Sequence, residues 1–594
     1  MTDIESSSVD TVWLPGGVSG RPDTPVRLPD SRPAAGLRLR AGGAGRIRVR
    51  EIGRGVAEVV FRQLDEPFTL TATVPATDAV AWWRPGSTAP RATIPPSWAE
   101  ALDATALLDI PIGALITRHD ATSLVYALDA ATSPTRVRAG LVEETAEFMV
   151  MVTVDGPPPP SGEVRLYLDT SGGRFTEAVQ AAGRWLQGES GHRDAPGALD
   201  PVLCTWYFAH QHVSAEAIDA AADRAAELGF GTLIVDDGWQ TTSLGRGYGS
   251  CGDWEAAEEK FPDPAGLVGR LRARGIRTMW WIGTPFLGHR AGARSLGLAT
   301  LYDETDLDAE VLDPRDPAVR AHLVGRIRDL VDRTGADGVK LDFLERFVVR
   351  PDGGPSVVAA AVRTVEEILA ELRGLGLEPL IEFREPYVHP VVARLASMVR
   401  VGDCPLSPVR NRIGIVDLRL ACPGMPIHSD PVMWTEADTS ERVAYHLING
   451  LMGVPQVSVD LRRLPEGQTA ALAFWLGVWR EHRDLLLHGR LHAERPDLSY
   501  PVVRAEADGR HFIARYAPVP VVLPGGGWTE ILLANADDSA PLVLNDAVAV
   551  RASLEVWDAR GRLVAREALE LAPGPTTVEV GEGGFARIRA SAAE

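Results

Sequence analysis

The sequence predicts a multidomain protein: an N-terminal β-sandwich, a central (β/α)8 TIM barrel and a small C-terminal β-sandwich domain. Three observations predict it. Short alternating apolar runs crowd both ends of the chain. In the middle, eight apolar runs alternate with amphipathic stretches. At 594 residues the chain is also too long for one ordinary domain. The boundaries expected are 1–195, 196–488 and 489–594.

In the first region RIRVREIGRGVAEVVF (46–61), FTLTATV (68–74), AEFMVMVTV (146–154) and EVRLYL (163–168) alternate or run apolar. Gly/Pro clusters such as DGPPPPSG (155–162) punctuate them, the pattern of a sandwich. FTEAVQAAGRWLQ (175–187) reads as a helix and GESGHRDAPGALD (188–200) as a linker. Eight runs then read as barrel strands: 202–208, 231–239, 277–283, 337–343, 378–385, 397–403, 424–430 and 455–461. Helical stretches at 214–229, 266–275, 319–335 and 357–376 lie between them, and 467–487 closes the series. Beyond 489, PVVRAEA, HFIARYA, TEILLAN and ASLEVWD return to short strands.

The net charge of −20 argues against nucleic acid or an anionic membrane as partner. The start, MTDIESSSVD, lacks the basic and apolar regions of a secretory signal, and no window approaches eighteen apolar residues. A cytoplasmic protein is expected. Cys204, Cys251, Cys404 and Cys422 form no CxxC pair and read as reduced thiols near a core or cleft, so neither a zinc ribbon nor a disulfide framework is expected. The sequence leaves a homo-oligomer open.

Barrel active sites lie at the C-terminal strand ends, and the polar residues gather there. Strand two ends in Asp236-Asp237-Gly238-Trp239, strand three near Trp280-Trp281, and strand four in Lys340 and Asp342. Strand five ends in Glu382, Arg384 and Glu385, strand six in Arg400 and Asp403, seven in His428 and Asp430, and eight in Asp460. Any one of these could be a helix cap or serve a turn, as Asp237 before glycine and Asp403 before Cys-Pro could. As a set inside a closed barrel they cost desolvation that stability alone would not select. Carboxylates, aromatic plates, a lysine and arginines suit a neutral, hydroxyl-rich ligand, and two carboxyls are what glycoside cleavage requires. Lys340 is one of only two lysines in a chain with 60 Lys plus Arg. With side chains alternating, it shares a face with Asp342 and is expected to keep that carboxylate ionised, as a nucleophile requires.

These motifs resemble glycoside hydrolase family 36 and the α-galactosidase clan. The resemblance spans most of 200–480 and rests on DDGW (236–239), GDW (252–254) with KFPDPAGL (260–267), WWI (280–282), KLD (340–342) and VGD (401–403). It implies a retaining, exo-acting α-glycosidase, α-galactosidase-like, that needs no cofactor and takes a small carbohydrate. Asp342 would be the nucleophile and Asp403 the acid/base. Asp236 and Asp237 would bind the sugar's O4 and O6, while Trp206, Tyr207 and Trp281 line the pocket and Lys340 bonds hydroxyls. Arg384 matches a family arginine in place, and Glu382 and Trp239 are further contact candidates. The chain departs from the pattern in IEFREPYVHP (381–390), where the family carries a Cys-Ser-Gly-rich run. It departs again at Arg400-Val-Gly-Asp403, where the family reads Trp-Thr-Ser-Asp. This marks a divergent branch, with Glu382 and Arg384 as candidate specificity changes.

Three rival readings stand beside it. A raffinose-synthase-like transglycosylase would use the same two aspartates. A metal-dependent amidohydrolase would begin its site at His210-Gln211-His212 and draw on Lys340 and Asp460, but lacks histidines at strands five and six, His389 lying beyond in a loop. A non-catalytic sugar-binding protein would be expected to lose one aspartate. The role of His428 and Asp430 is open, as is whether Trp82 or Trp83 reaches the pocket, although paired tryptophans in a β-domain are more often core.

Overall fold

The computed structural model describes residues 11–14, 24–25, 37–42, 45–63, 68–86, 93–98, 101–133, 135–154, 162–188, 195–347, 354–525, 527–545 and 549–591. The acidic start, nearly all of DGPPPPSG and residues 189–194 of the expected linker lie outside the described residues.

The first region forms a seven-stranded and a six-stranded sheet, both antiparallel among their neighbours. The run 46–61 is a hairpin, Gly45–Gly53 and Val56–Gln63. Its turn uses Gly55 at φ 74°, where a side chain would be strained. Phe68–Pro75 alternates buried and half-buried positions, as a strand with one face on the core must. Trp82, Tyr126 and Phe148 lock this core together. Trp83 is also buried, and its Nε1 donates to Asp417 of the barrel at 3.1 Å. Neither tryptophan reaches the pocket described below. The helix Phe175–Gln187 follows as expected.

All eight expected barrel strands are present and parallel: Val202–Cys204, Thr232–Val235, Arg277–Gly283, Gly338–Asp342, Leu380–Arg384, Met398–Arg400, Ile427–His428 and Gln456–Val457. The first pairs with the eighth, and the seventh meets the eighth through a bridge between His428 and Val454, so the sheet is nearly closed. Local chemistry sets the helix starts. Ser214, Asp263 and Asp316 accept backbone N–H groups at the heads of Ala215–Leu228, Pro264–Ala273 and Pro317–Thr334. The last two helices also open on proline, which pre-sets φ and gives up an N–H that would go unused. Ser440–Gly450 and Glu466–His488 complete the ring.

Two features depart from expectation. Trp206 and Tyr207 do not continue strand one: the strand ends at Cys204 and they open a short helix, Trp206–Ala209. A three-stranded antiparallel sheet, Phe286–Gly288, Thr300–Glu304 and Ala309–Leu312, is inserted after strand three. Beyond the barrel a seven-stranded sheet runs from Arg490–Ala493 to Gly584–Ala590, and a three-stranded sheet lies beside it in sequence. Among the described residues no helix is long and apolar enough to cross a membrane.

Candidate active site

A pocket opens at the C-terminal ends of the barrel strands, with about 410 Å³ of space including its mouth. On its floor lies Asp342, whose side chain is only 8% exposed. One carboxylate oxygen accepts from Arg384 Nε at 2.6 Å, from the Phe343 N–H at 2.8 Å and from the Tyr387 hydroxyl at 3.3 Å. The other accepts from Trp281 Nε1 at 2.9 Å. Burial alone would raise the pKa of this carboxyl. The guanidinium of Arg384, with Lys340 and Arg400 behind it, outweighs that and holds it well below the usual carboxylate range. Phe343 adopts φ +65°, an uncommon conformation for a bulky residue, as the chain turns directly after Asp342.

Lys340 lies within ion-pair range of Asp342 and favours its charged form, as expected, but as its second cation and not its first. Its ammonium bonds Asp236 Oδ2 at 2.7 Å and lies 3.8 Å from Asp342 Oδ2. Asp236 is its primary partner, and Arg384 rather than Lys340 is the main counter-charge of Asp342. A point-like ammonium serves both carboxylates from one position, which a planar fork would not.

Asp236 and Asp237 sit side by side past strand two. Asp237 accepts from Gln211 at 2.8 Å and Gln240 at 2.7 Å. The turn requires glycine next, because a Cβ on Gly238 (φ 109°) would come within 2.8 Å of the Gln211 Cα. Lys260, the chain's other lysine, fastens this turn by donating to the carbonyls of Gln211 and Gly238 at 2.5 and 3.0 Å. Burial pushes the Asp237 carboxyl up to about 6. The folded protein therefore binds that proton more tightly than the unfolded chain, and this contribution to stability is lost as pH rises from about 4 to about 6. Asp237→Asn is expected to flatten the decline between pH 4.5 and 7 by about 2 kcal/mol. Scanning calorimetry at pH 4.5 and 7 checks it, and a wild-type slope retained in the variant would assign the titration elsewhere.

Asp403 differs from Asp342 in exposure: its side chain is 61% exposed at the pocket mouth. Its carboxylate accepts from Arg400 Nη1 at 3.0 Å. Burial of its surroundings pushes the carboxyl up, and Arg400 and Arg384 together bring it below the usual range while the charge of Asp342 opposes them. The same Arg400 nitrogen donates to the buried Asp430, which also accepts from the Tyr207 hydroxyl at 3.2 Å and the Cys404 N–H at 2.7 Å. Burial raises Asp430 to about 7.

Of the residues expected from sequence, Trp206, Tyr207, Asp236, Asp237, Trp281, Lys340, Asp342, Arg384 and Asp403 all line this pocket. Glu382 and Trp239 do not. Glu382 lies one layer deeper, 1% exposed, accepting from Gln456 at 2.5 Å and 3.5 Å from Arg400 Nε. Trp239 is fully buried, packs on Trp280 and donates to the Trp281 carbonyl. Both support the pocket through other residues. Asp460 pairs with Arg462 away from the pocket. His428 is buried between the Ala198 carbonyl and Gln456 and orders the strand-seven end, whereas Asp430 faces the pocket. His210 faces Arg246, and among the described residues no three His, Cys, Asp or Glu side chains gather as a metal-ligand set. Cys204, buried like the other three cysteines, lies 3.4 Å from Asp236. Tyr248, stacked on Phe286 and near Trp281, was not anticipated: it comes from the loop SLGRGYGSCG, which carries no periodic signal.

The barrel with flanking β-sheets and a carboxylate-lined pocket defines a class, the architecture of the family 36 α-galactosidases. An α-galactosidase AgaA variant from Geobacillus stearothermophilus, solved with stachyose, superposes with a TM-score of 0.62 at 14% identity, covering 98% of this chain and 87% of that one. The α-galactosidase of Lactobacillus brevis gives 0.62 at 12% identity over 99% and 86%. That of Thermus thermophilus, solved with p-nitrophenyl α-D-galactopyranoside, gives 0.57 at 18% over 84% and 100%. The chain is thus family 36-like in fold. No family model matches it. Among curated proteins it is 30% identical over 114 residues to an α-xylosidase of Emericella nidulans, and 26% identical over 152 residues to α-galactosidase 2 of Pediococcus pentosaceus. Those matches span 17% and 24% of this chain, and 14% and 21% of the relatives.

Proposed function

We propose that the protein is a retaining, exo-acting α-glycosidase, α-galactosidase-like, in which Asp342 is the nucleophile and Asp403 the acid/base. One observation carries this reading. A buried carboxylate held anionic by Arg384 and Trp281 shares one pocket with a solvent-facing carboxylate at its mouth. The division of labour follows from the environments. Asp342 stays ionised, as attack on an anomeric carbon requires. Asp403 can exchange protons with water, and the charge of Asp342 raises its pKa. A leaving group covering the mouth would raise it further by desolvation. When Asp342 becomes a glycosyl ester that charge is gone, the Asp403 pKa falls, and the same group takes a proton from the incoming water. Asp236, Asp237 and Lys340 would bind the sugar's hydroxyls while Trp206, Tyr207 and Trp281 pack around it. Arg384, beside the nucleophile, is a candidate specificity residue.

Assays of the purified protein on a panel of aryl α-glycosides, the galactoside and xyloside included, test the reading. Hydrolysis of at least one is expected, and hydrolysis of β-glycosides alone would contradict it. A transglycosylase with the same two aspartates would instead pass the sugar to an added acceptor.

A further inference from the structure

A second cavity adjoins the pocket, with about 610 Å³ of space including its mouth, and Asp403 is the one residue lining both among the described residues. One wall belongs to the N-terminal sheets, through Pro85 and Asp109-Ile110. The other is the loop after strand five, through Glu385-Pro386 and Val388. The two walls are fastened together. The Asp109 N–H donates to the Pro386 carbonyl at 3.0 Å. The Gly86 N–H and the Trp83 indole both donate to Asp417 of the barrel, each at 3.1 Å.

We propose that this cavity is the leaving-group subsite, that it takes a neutral second sugar, and that Asp109 is a specificity-determining residue in it. The inference rests on the assignment of Asp403 as proton donor. A donor stands beside the oxygen of the scissile bond, so a cavity that shares Asp403 with the pocket but not Asp342 is placed to receive the group that departs. The chemistry of the walls then selects the class. Carboxylates at Asp109 and Glu385 accept hydroxyls, and the aliphatic and proline surfaces of Pro85, Ile110, Pro386 and Val388 pack against a ring's C–H face. No lysine or arginine lines the cavity among the described residues, and the nearby Arg84 and Arg400 act on Asp109 and Asp403, so a phosphate or nucleotide meets carboxylates first. Asp109 is half-buried, and burial pushes its carboxyl up against the pull of Arg84, leaving an acceptor that gains from a hydroxyl partner. It adopts φ +59°, which glycine and asparagine tolerate.

The test compares Asp109→Gly and Asp109→Asn with the wild type on two substrates of the same sugar. The first is the α-glycosyl fluoride, whose leaving group is too small to occupy the cavity. The second is an oligosaccharide with a neutral sugar leaving group (raffinose, for galactose). In Asp109→Gly, kcat/KM on the oligosaccharide is expected to fall about tenfold or more, with kcat/KM on the fluoride within about twofold of wild type. Asp109→Asn, which keeps an acceptor, is expected to lie between. An equal loss on both substrates, or no loss on either, overturns the subsite while wild-type turnover leaves the glycosidase reading standing. A wild type inert on every α-glycosyl fluoride overturns both.

Discussion

Asp342→Gly is expected to abolish turnover, by on the order of 10⁴-fold or more, while leaving the fold intact. The electrostatics explain why both hold together. Removing the carboxylate takes a partner from Arg384, which keeps Glu345 at 3.0 Å and the Glu385 carbonyl at 2.7 Å. Lys340 keeps Asp236. No cation is left buried and unpaired, so the several kcal/mol that a broken buried pair costs is largely avoided. The space vacated faces the anomeric carbon of a bound sugar and is flanked by two cations, so it should admit azide. Turnover of an activated α-glycoside is then expected to return, giving the β-glycosyl azide, as direct attack from the nucleophile's side requires. Product analysis by NMR checks the outcome, and wild-type turnover in Asp342→Gly without added anion would remove Asp342 from the mechanism.

The second large effect is expected at Asp403. Asp403→Ala should lower kcat/KM by about 10²–10⁴-fold on substrates whose leaving group needs a proton, and much less on those that depart unaided. Deglycosylation slows on every substrate because the base is missing, so with activated aryl glycosides KM should fall together with kcat. Azide here intercepts the glycosyl enzyme from the opposite face and yields the α-azide. The contrast in product anomer between the two variants separates nucleophile from acid/base in a way that loss of activity alone does not. A uniform loss on good and poor leaving groups would indicate that Asp403 acts through Arg400 and the pocket's shape, not by proton transfer.

Much of this was legible in the sequence, for identifiable reasons. The barrel strands are short apolar runs bounded by glycine and helix caps, so all eight could be placed. Their polar termini pointed to the strand-end face, and nine of the eleven expected contact residues line one pocket. The misses follow equally from physics. Trp206 and Tyr207 have aromatic strand propensity, yet Thr205 enters αR conformation and the chain turns helical there. Period-two alternation assigns Glu382 and Arg384 to one face but not to a depth. Register places Glu382 beside Lys340 and Arg384 beside Arg400, one layer nearer the mouth. Lys340 shows the same limit, since alternation put it next to Asp342 while the partner it bonds, Asp236, lies 104 residues away. Tyr248 and Gln240 sit in loops, and Gln211 in a single 3-10 turn, where spacing carries no information. The inserted sheet at 286–312 and the cavity shared between the N-terminal sheets and the barrel are tertiary facts that no local pattern encodes.

The covalent bond itself tests the central claim most directly. The wild type should be treated with the 5-fluoro-α-glycosyl fluoride of whichever sugar it cleaves, digested, and mapped by mass spectrometry. The account predicts one added glycosyl group on the peptide carrying GVKLDF, localised to Asp342, and none in Asp342→Gly. A label on another carboxylate, or inactivation-free turnover with inversion at the anomeric carbon, would contradict it.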